Sequence, residues 1–181
     1  MASDRSTTRR GMIEGLLGLG AASVLHAALD SSAWRSYESV EETWIRDRHA
    51  LLIKQSPQVE EAANLDLDLK IAELQRRAIQ FRHLLKRKPR QLRGGVWQLS
   101  WLPVSEKEQR ELEASDANYK RQERKVRELA DSLRKRADYQ TFRNAQMQLW
   151  KTPEYKAIHR KYSEAMLELH KTYGSAGFGA P

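Results

Sequence analysis

Apolar residues recur every three or four positions along most of this chain, the spacing of one face of an α-helix. The clearest run is Leu67, Ile71, Leu74, Ala78, Phe81 and Leu85. Their alternating steps of four and three make a heptad seam and predict a helix over 58–88, ended by Pro89. The acids Glu60, Glu61, Asp66 and Asp68 come early in it and the bases late, which suits the helix dipole. An earlier helix over 32–54 carries Trp34, Tyr37, Val40, Trp44, Leu51 and Leu52 on one side. It stops ahead of Pro57, which disfavours helical backbone in the residue before it.

Beyond Pro89 the pattern changes. Residues 89–104 form a connector in which Trp97, Leu99 and Trp101 alternate with polar Gln98 and Ser100, as in an extended segment with one buried face. Ser105-x-x-Glu108 is a capping box and starts a third helix near Glu106. Tyr119, Val126, Leu129, Leu133 and Ala137 line one side of it, and it can continue to Leu149 with a kink or break near 137–140. Unbroken, it would be roughly 65 Å long. Thr152-Pro153-Glu154 opens a fourth helix with Tyr155, Ile158, Tyr162, Met166, Leu169 and Tyr173 inward, closed by Gly174. The expected fold is all-α: an elongated antiparallel helical hairpin or bundle with coiled-coil character. It has about four helices over 34–173, after an N-terminal segment over 1–33 and before a short flexible tail over 174–181.

The N-terminal segment reads Thr8-Arg9-Arg10-Gly11-Met12-Ile13-Glu14, followed by an uninterrupted apolar run over 15–25 rich in Gly and Ala. That run is shorter and less oily than the roughly 20 apolar residues of a membrane span. With charges before it and small residues after it, it has the anatomy of a signal peptide. Ser31 and Ala33 mark a cleavage site after Ala33, with Ala27 and Ala28 as a weaker choice. The segment resembles a twin-arginine translocation signal, whose pattern is Ser/Thr-Arg-Arg-x-apolar-apolar-Lys before a modest hydrophobic stretch. Thr8, Arg9, Arg10, Met12 and Ile13 match; Glu14 stands where Lys is usual, and Met12 where Phe is preferred. The resemblance implies bacterial export of an already folded protein, to the periplasm or the inner membrane. An uncleaved anchor and an ordinary amphipathic arm of a cytoplasmic or virion protein are the other readings of the same residues.

Charge sharpens the picture. The net charge is +8, and the segment 70–93 alone holds nine basic residues against one acid, Glu73. Among these bases, Arg76, Arg77, Arg82, Lys86, Arg87, Lys88, Arg90 and Arg93 are candidates for contact with an anionic partner: lipid head groups, an envelope polymer or, without export, nucleic acid. The alternative is a solvated face whose bases pair with a neighbouring acidic helix. Trp97 and Trp101 are candidate interface aromatics, with core packing as the alternative. The seam from Leu67 to Leu85 serves either packing within the chain or self-association into a homo-oligomer.

Enzyme chemistry has no foothold in these motifs. There is no cysteine, which excludes disulfides, thiolate metal sites and thiol nucleophiles. No His has a Glu three residues before it, and no phosphate-binding or dinucleotide glycine motif occurs. No cofactor or metal is expected. The expectation is a non-catalytic, exported or envelope-associated helical accessory or scaffold subunit that works by helix-mediated association with a protein partner or larger complex. A cytoplasmic or virion nucleic-acid-binding helical protein is the runner-up.

Overall fold

The computed structural model describes residues 10–88, 92 and 95–173, with side chains from residue 32 onward apart from Trp97. The tail over 174–181 lies outside the described residues. Every regular element among them is helical: α1 (Arg10–Gln55), α2 (Glu60–Arg87), α3 (Glu106–Ser115), α4 (Ala117–Arg134), α5 (Tyr139–Leu149) and α6 (Pro153–Tyr173). A 3-10 turn at Pro57–Val59 joins α1 to α2, and a 3-10 segment at Gly95–Ser100 precedes α3. Among the described residues, no helix is long and apolar enough to cross a membrane.

The four helices expected from periodicity are six. The region over 106–149 breaks twice, and each break has a local cause. The capping box forms as expected, with the Ser105 hydroxyl accepting from the Glu108 amide and the Glu108 carboxylate accepting from the Ser105 amide. Asp116 then leaves helical geometry (φ −121°, ψ 105°) and accepts from the amides of Asn118 and Tyr119 at 2.8 and 3.0 Å. One residue thus ends α3 and caps α4. The second break, at 135–138, falls beside the kink expected near 137–140. There Arg136 clamps Asp138 (2.7 Å) and reaches Glu61 on α2 (2.8 Å).

The connector also differs from the extended segment expected of it. Between Gly95 and Ser100 the repeat is three, not two, so Val96 and Leu99 fall on one side, both fully buried. Trp101, expected on the buried face of that alternation, is 64% exposed.

Side-chain pairs fix the helix directions. Arg48 meets Asp66 (3.2 Å) and Glu41 meets Arg77 (3.3 Å), so α1 and α2 run oppositely. Arg136 with Glu61, Arg76 with Glu123 and Gln80 with Tyr119 set α4 against α2 in the same way. Tyr162 with Glu41, and the Tyr173 hydroxyl beside Ser32 and Ser36, place α6 oppositely along α1. The core is divided along this axis. At one end Trp34, Tyr37, Phe81, Leu84, Leu99 and Met166 pack together; at the other, Leu52, Val59, Ala62, Leu133, Phe142 and Leu149 do.

Helix α2 feeds both clusters. Its seam residues Leu74 and Phe81 are buried in the first, with Leu67, Ile71, Ala78 and Leu85 packed against it. The seam residues thus take part in packing within the chain. A second stripe, Ala62, Leu65, Leu69 and Ala72, joins the other cluster. The boundary at residue 33 falls inside α1, where Ala33 and Trp34 are core residues.

Candidate anion-binding site

The basic run on α2 sorts into bases already engaged and bases left over. Arg76 bonds Glu123 of α4 at 2.9 Å. Arg77 donates to the Tyr37 hydroxyl (2.7 Å), the Ser100 carbonyl (3.2 Å) and Glu41 (3.3 Å), and Tyr162 donates to the other oxygen of Glu41 at 2.9 Å. Burial holds the phenols of Tyr37 and Tyr162 well above the usual tyrosine range, so both stay protonated as partners in this network. Arg76 and Arg77 are thus structural cations that tie α2 to its neighbours.

Lys88 is the third engaged base, 2.7 Å from Glu108. The hydrogen bonds from Lys88 and Ser105 lower the Glu108 carboxyl from 4.5 to about 2. A lowered folded-state value means the contribution of this group is complete above about pH 4.5 and is lost as pH falls toward 2. Asp66 has the opposite sign: burial raises its carboxyl, so its share of stability grows as pH falls. Glu108→Gln isolates the first effect. We expect the variant to be less stable by about 1 kcal/mol at pH 7, with Lys88 half in water limiting the loss. Urea midpoints should converge as pH drops through that window.

The bases left over are Arg82, Lys86 and Arg87, all exposed and without a carboxylate partner among the described residues. They stand one turn apart in two adjacent rows, Arg82 with Lys86 and His83 with Arg87. These four line an open groove of about 410 Å³. Its far wall is the α3–α4 junction: Leu112, Ser115, Asp116 and Asn118. Asp116 is the one acid in that lining, and its Oδ1 is held by the two amides it caps. The groove offers three unpaired cations and polar side groups to an anion.

Of the other residues marked by the sequence, Arg90, Arg93 and Arg9 lie outside the described residues, as does the side chain of Trp97. Arg10, Met12 and Ile13 belong to α1, their side chains likewise outside the description. Among the described residues, no group of three or more His, Cys, Asp or Glu is placed to hold a metal ion. Met147 and Trp150, at the end of α5, form an exposed pair that the sequence pattern did not mark as a site. The available signal was Trp150-Lys151 immediately before the Thr152-Pro153 helix start. A smaller apolar groove, about 240 Å³, runs between α1 and α6 and is lined by Val40, Trp44, Ile158 and Tyr162. Comparison of the chain with protein-family models, with curated proteins and with solved structures finds no match in any of the three.

Proposed function

We propose that this chain is a non-catalytic accessory or scaffold subunit of the bacterial envelope. It would be exported by the twin-arginine route and would hold an anionic partner in the groove at the end of α2. In this reading the body is an elongated antiparallel hairpin with coiled-coil character, stiff enough to present that groove at a fixed place. The observation that carries the proposal is the sorting of the bases. Arg76, Arg77 and Lys88 are engaged inside the chain, whereas Arg82, Lys86 and Arg87 converge unpaired on one groove. Three cations against the single acid of the lining create a field that draws anions.

The test uses two soluble probes, inorganic polyphosphate and a single-stranded oligonucleotide, with Arg82→Glu/Arg87→Glu as the variant. We expect binding at low salt to weaken at least about tenfold and the salt dependence to fall by about 1.5 in log–log slope, the share of two phosphate contacts. Unchanged affinity would reduce the groove to a solvated face. Strong preference for the oligonucleotide would move the reading to nucleic acid. Export is tested separately, by fusing residues 1–40 to a reporter that crosses only by the twin-arginine route. Export that is lost in Arg9→Lys/Arg10→Lys supports the signal.

A further inference from the structure

The elbow between α5 and α6 combines an exposed indole with an excess of positive charge. Leu149 is buried beneath it in the core. The next residues turn tightly: the Lys151 amide donates to the Gln148 carbonyl at 3.0 Å, and the Thr152 amide and hydroxyl donate to the Leu149 carbonyl at 3.0 and 2.8 Å. Trp150 is therefore held outward, 54% exposed, with Met147 one turn earlier at 44%. An open concavity of about 370 Å³ beside the indole is lined by Tyr155, Lys156, His159 and Arg160, with no carboxylate in the lining. From 143 to 161 there are five basic residues and one acid, Glu154. Arg160 has Glu164 at 4.0 Å, both largely in water, a screened contact that leaves the guanidinium free to turn.

We infer that this elbow is a docking surface for a bilayer that contains anionic phospholipid. Trp150 and Met147 would enter the boundary between head groups and acyl chains, and Lys156 and Arg160 would hold a head-group phosphate. Tryptophan suits that boundary because its ring is apolar and its N–H can stay wet. Lysine and arginine keep their charge in the aqueous layer while their stems cover apolar surface, and each base near an anionic leaflet adds attraction. A nucleic-acid strand fits less well. Strand binding uses successive exposed aromatic platforms along a cationic track; here Tyr155 packs against the Leu149 cluster, His159 sits tilted beside it at 6.2 Å, and the exposed side chain one turn before Trp150 is a thioether. The other indole exposed among the described residues, Trp101, follows the 3-10 segment packed in the Phe81 cluster. The elbow adjoins the cluster of Phe142 and Leu149, whereas the groove of Arg82 and Arg87 is at the far end of α2. The two surfaces are thus tested separately.

The experiment is co-sedimentation of the full chain with vesicles, either pure phosphatidylcholine or one part phosphatidylglycerol to two parts phosphatidylcholine. We expect binding to the anionic vesicles alone. Trp150→Ala and, separately, Lys156→Gln/Arg160→Gln should each weaken it about tenfold. Arg82→Glu/Arg87→Glu should weaken it less than either. Quenching of tryptophan emission by lipid brominated in its acyl chains should be present in wild type and reduced in Trp150→Phe. The substituted side chains are solvent-facing, so an unchanged circular dichroism spectrum is the folding control. Equal binding by both elbow variants and wild type would overturn the inference, because attachment would then come from another part of the chain. Binding indifferent to lipid charge would overturn it as well. So would an oligonucleotide that quenches Trp150 when anionic vesicles do not bind.

Discussion

Arg77→Ala is expected to lower folding stability by about 3–5 kcal/mol, the usual cost of removing one partner from a buried ion pair. Glu41 is only 8% exposed and depends on Arg77 and Tyr162 for its hydrogen bonds. Without the guanidinium, only the hydroxyls of Tyr162 and Tyr37 remain to compensate a buried carboxylate. The Tyr37 hydroxyl and the Ser100 carbonyl lose a donor in the same step, so α1, α2 and the 3-10 segment all loosen. Arg77→Met/Glu41→Leu removes both charges and should recover most of the loss, because well-packed apolar groups replace buried ion pairs at little cost. Urea denaturation of the wild type, the single and the double variant decides the matter. A loss below about 1 kcal/mol for Arg77→Ala would place the arginine among the solvated bases.

Phe81→Ala should cost about as much, roughly 3–5 kcal/mol, through lost burial and the cavity left behind. Phe81 is 1% exposed and stacks on Trp34, with ring centroids 4.9 Å apart and planes 22° apart. That pair joins α1 to α2 in the cluster that also holds Leu99 and Met166, so its loss opens a void in a core shared by four elements. Trp101→Ala is the informative contrast. With its ring largely in solvent, it should change stability by less than about 0.5 kcal/mol. Thermal melts of the two variants read the difference directly; a large loss at Trp101 would mean that its exposure is misjudged.

Much of the fold could be read from the sequence where burial is one-sided. The seam on α2 has a period that only a helix produces, and its six residues do face one cluster. The caps at Ser105 and Thr152 are local chemistry, and both form. Two features were harder to read. A single aspartate breaks a long charged helix because its side chain captures two amides, and composition alone does not say which of many polar residues will do so. The 3-10 segment was mistaken for an extended one because Trp97, Leu99 and Trp101 also satisfy a period of two. Only the burial of Val96 with Leu99 separates the two periods.

The basic run was legible as a charge excess but not as a site. Nine bases spread over 70–93 say nothing about which of them face acids on α1, α4 and the α3 cap. The engaged Arg76 and the unpaired Arg82 differ by their neighbours across helices. The indole at the end of α5 was not marked as a site for a related reason. Periodicity assigns residues inside helices well, but at a turn between two helices the exposed direction depends on how both are packed.

The uninterrupted course of α1 through residue 33 bears on the cleavage that the proposed export signal would require. A peptidase grips its substrate in extended form. The Ala33–Trp34 bond is instead wound into a helical turn, with Ala33 1% and Trp34 6% exposed. Once the body has folded, hydrolysis there must wait for local unfolding that withdraws Trp34 from Phe81 and breaks the Ser32–Tyr173 contact. A leader joined to its passenger in this way would be shed slowly, at a rate governed by the opening of α1 rather than by the amount of peptidase. The half-life of the precursor would then serve as a clock for fraying at that end of the molecule.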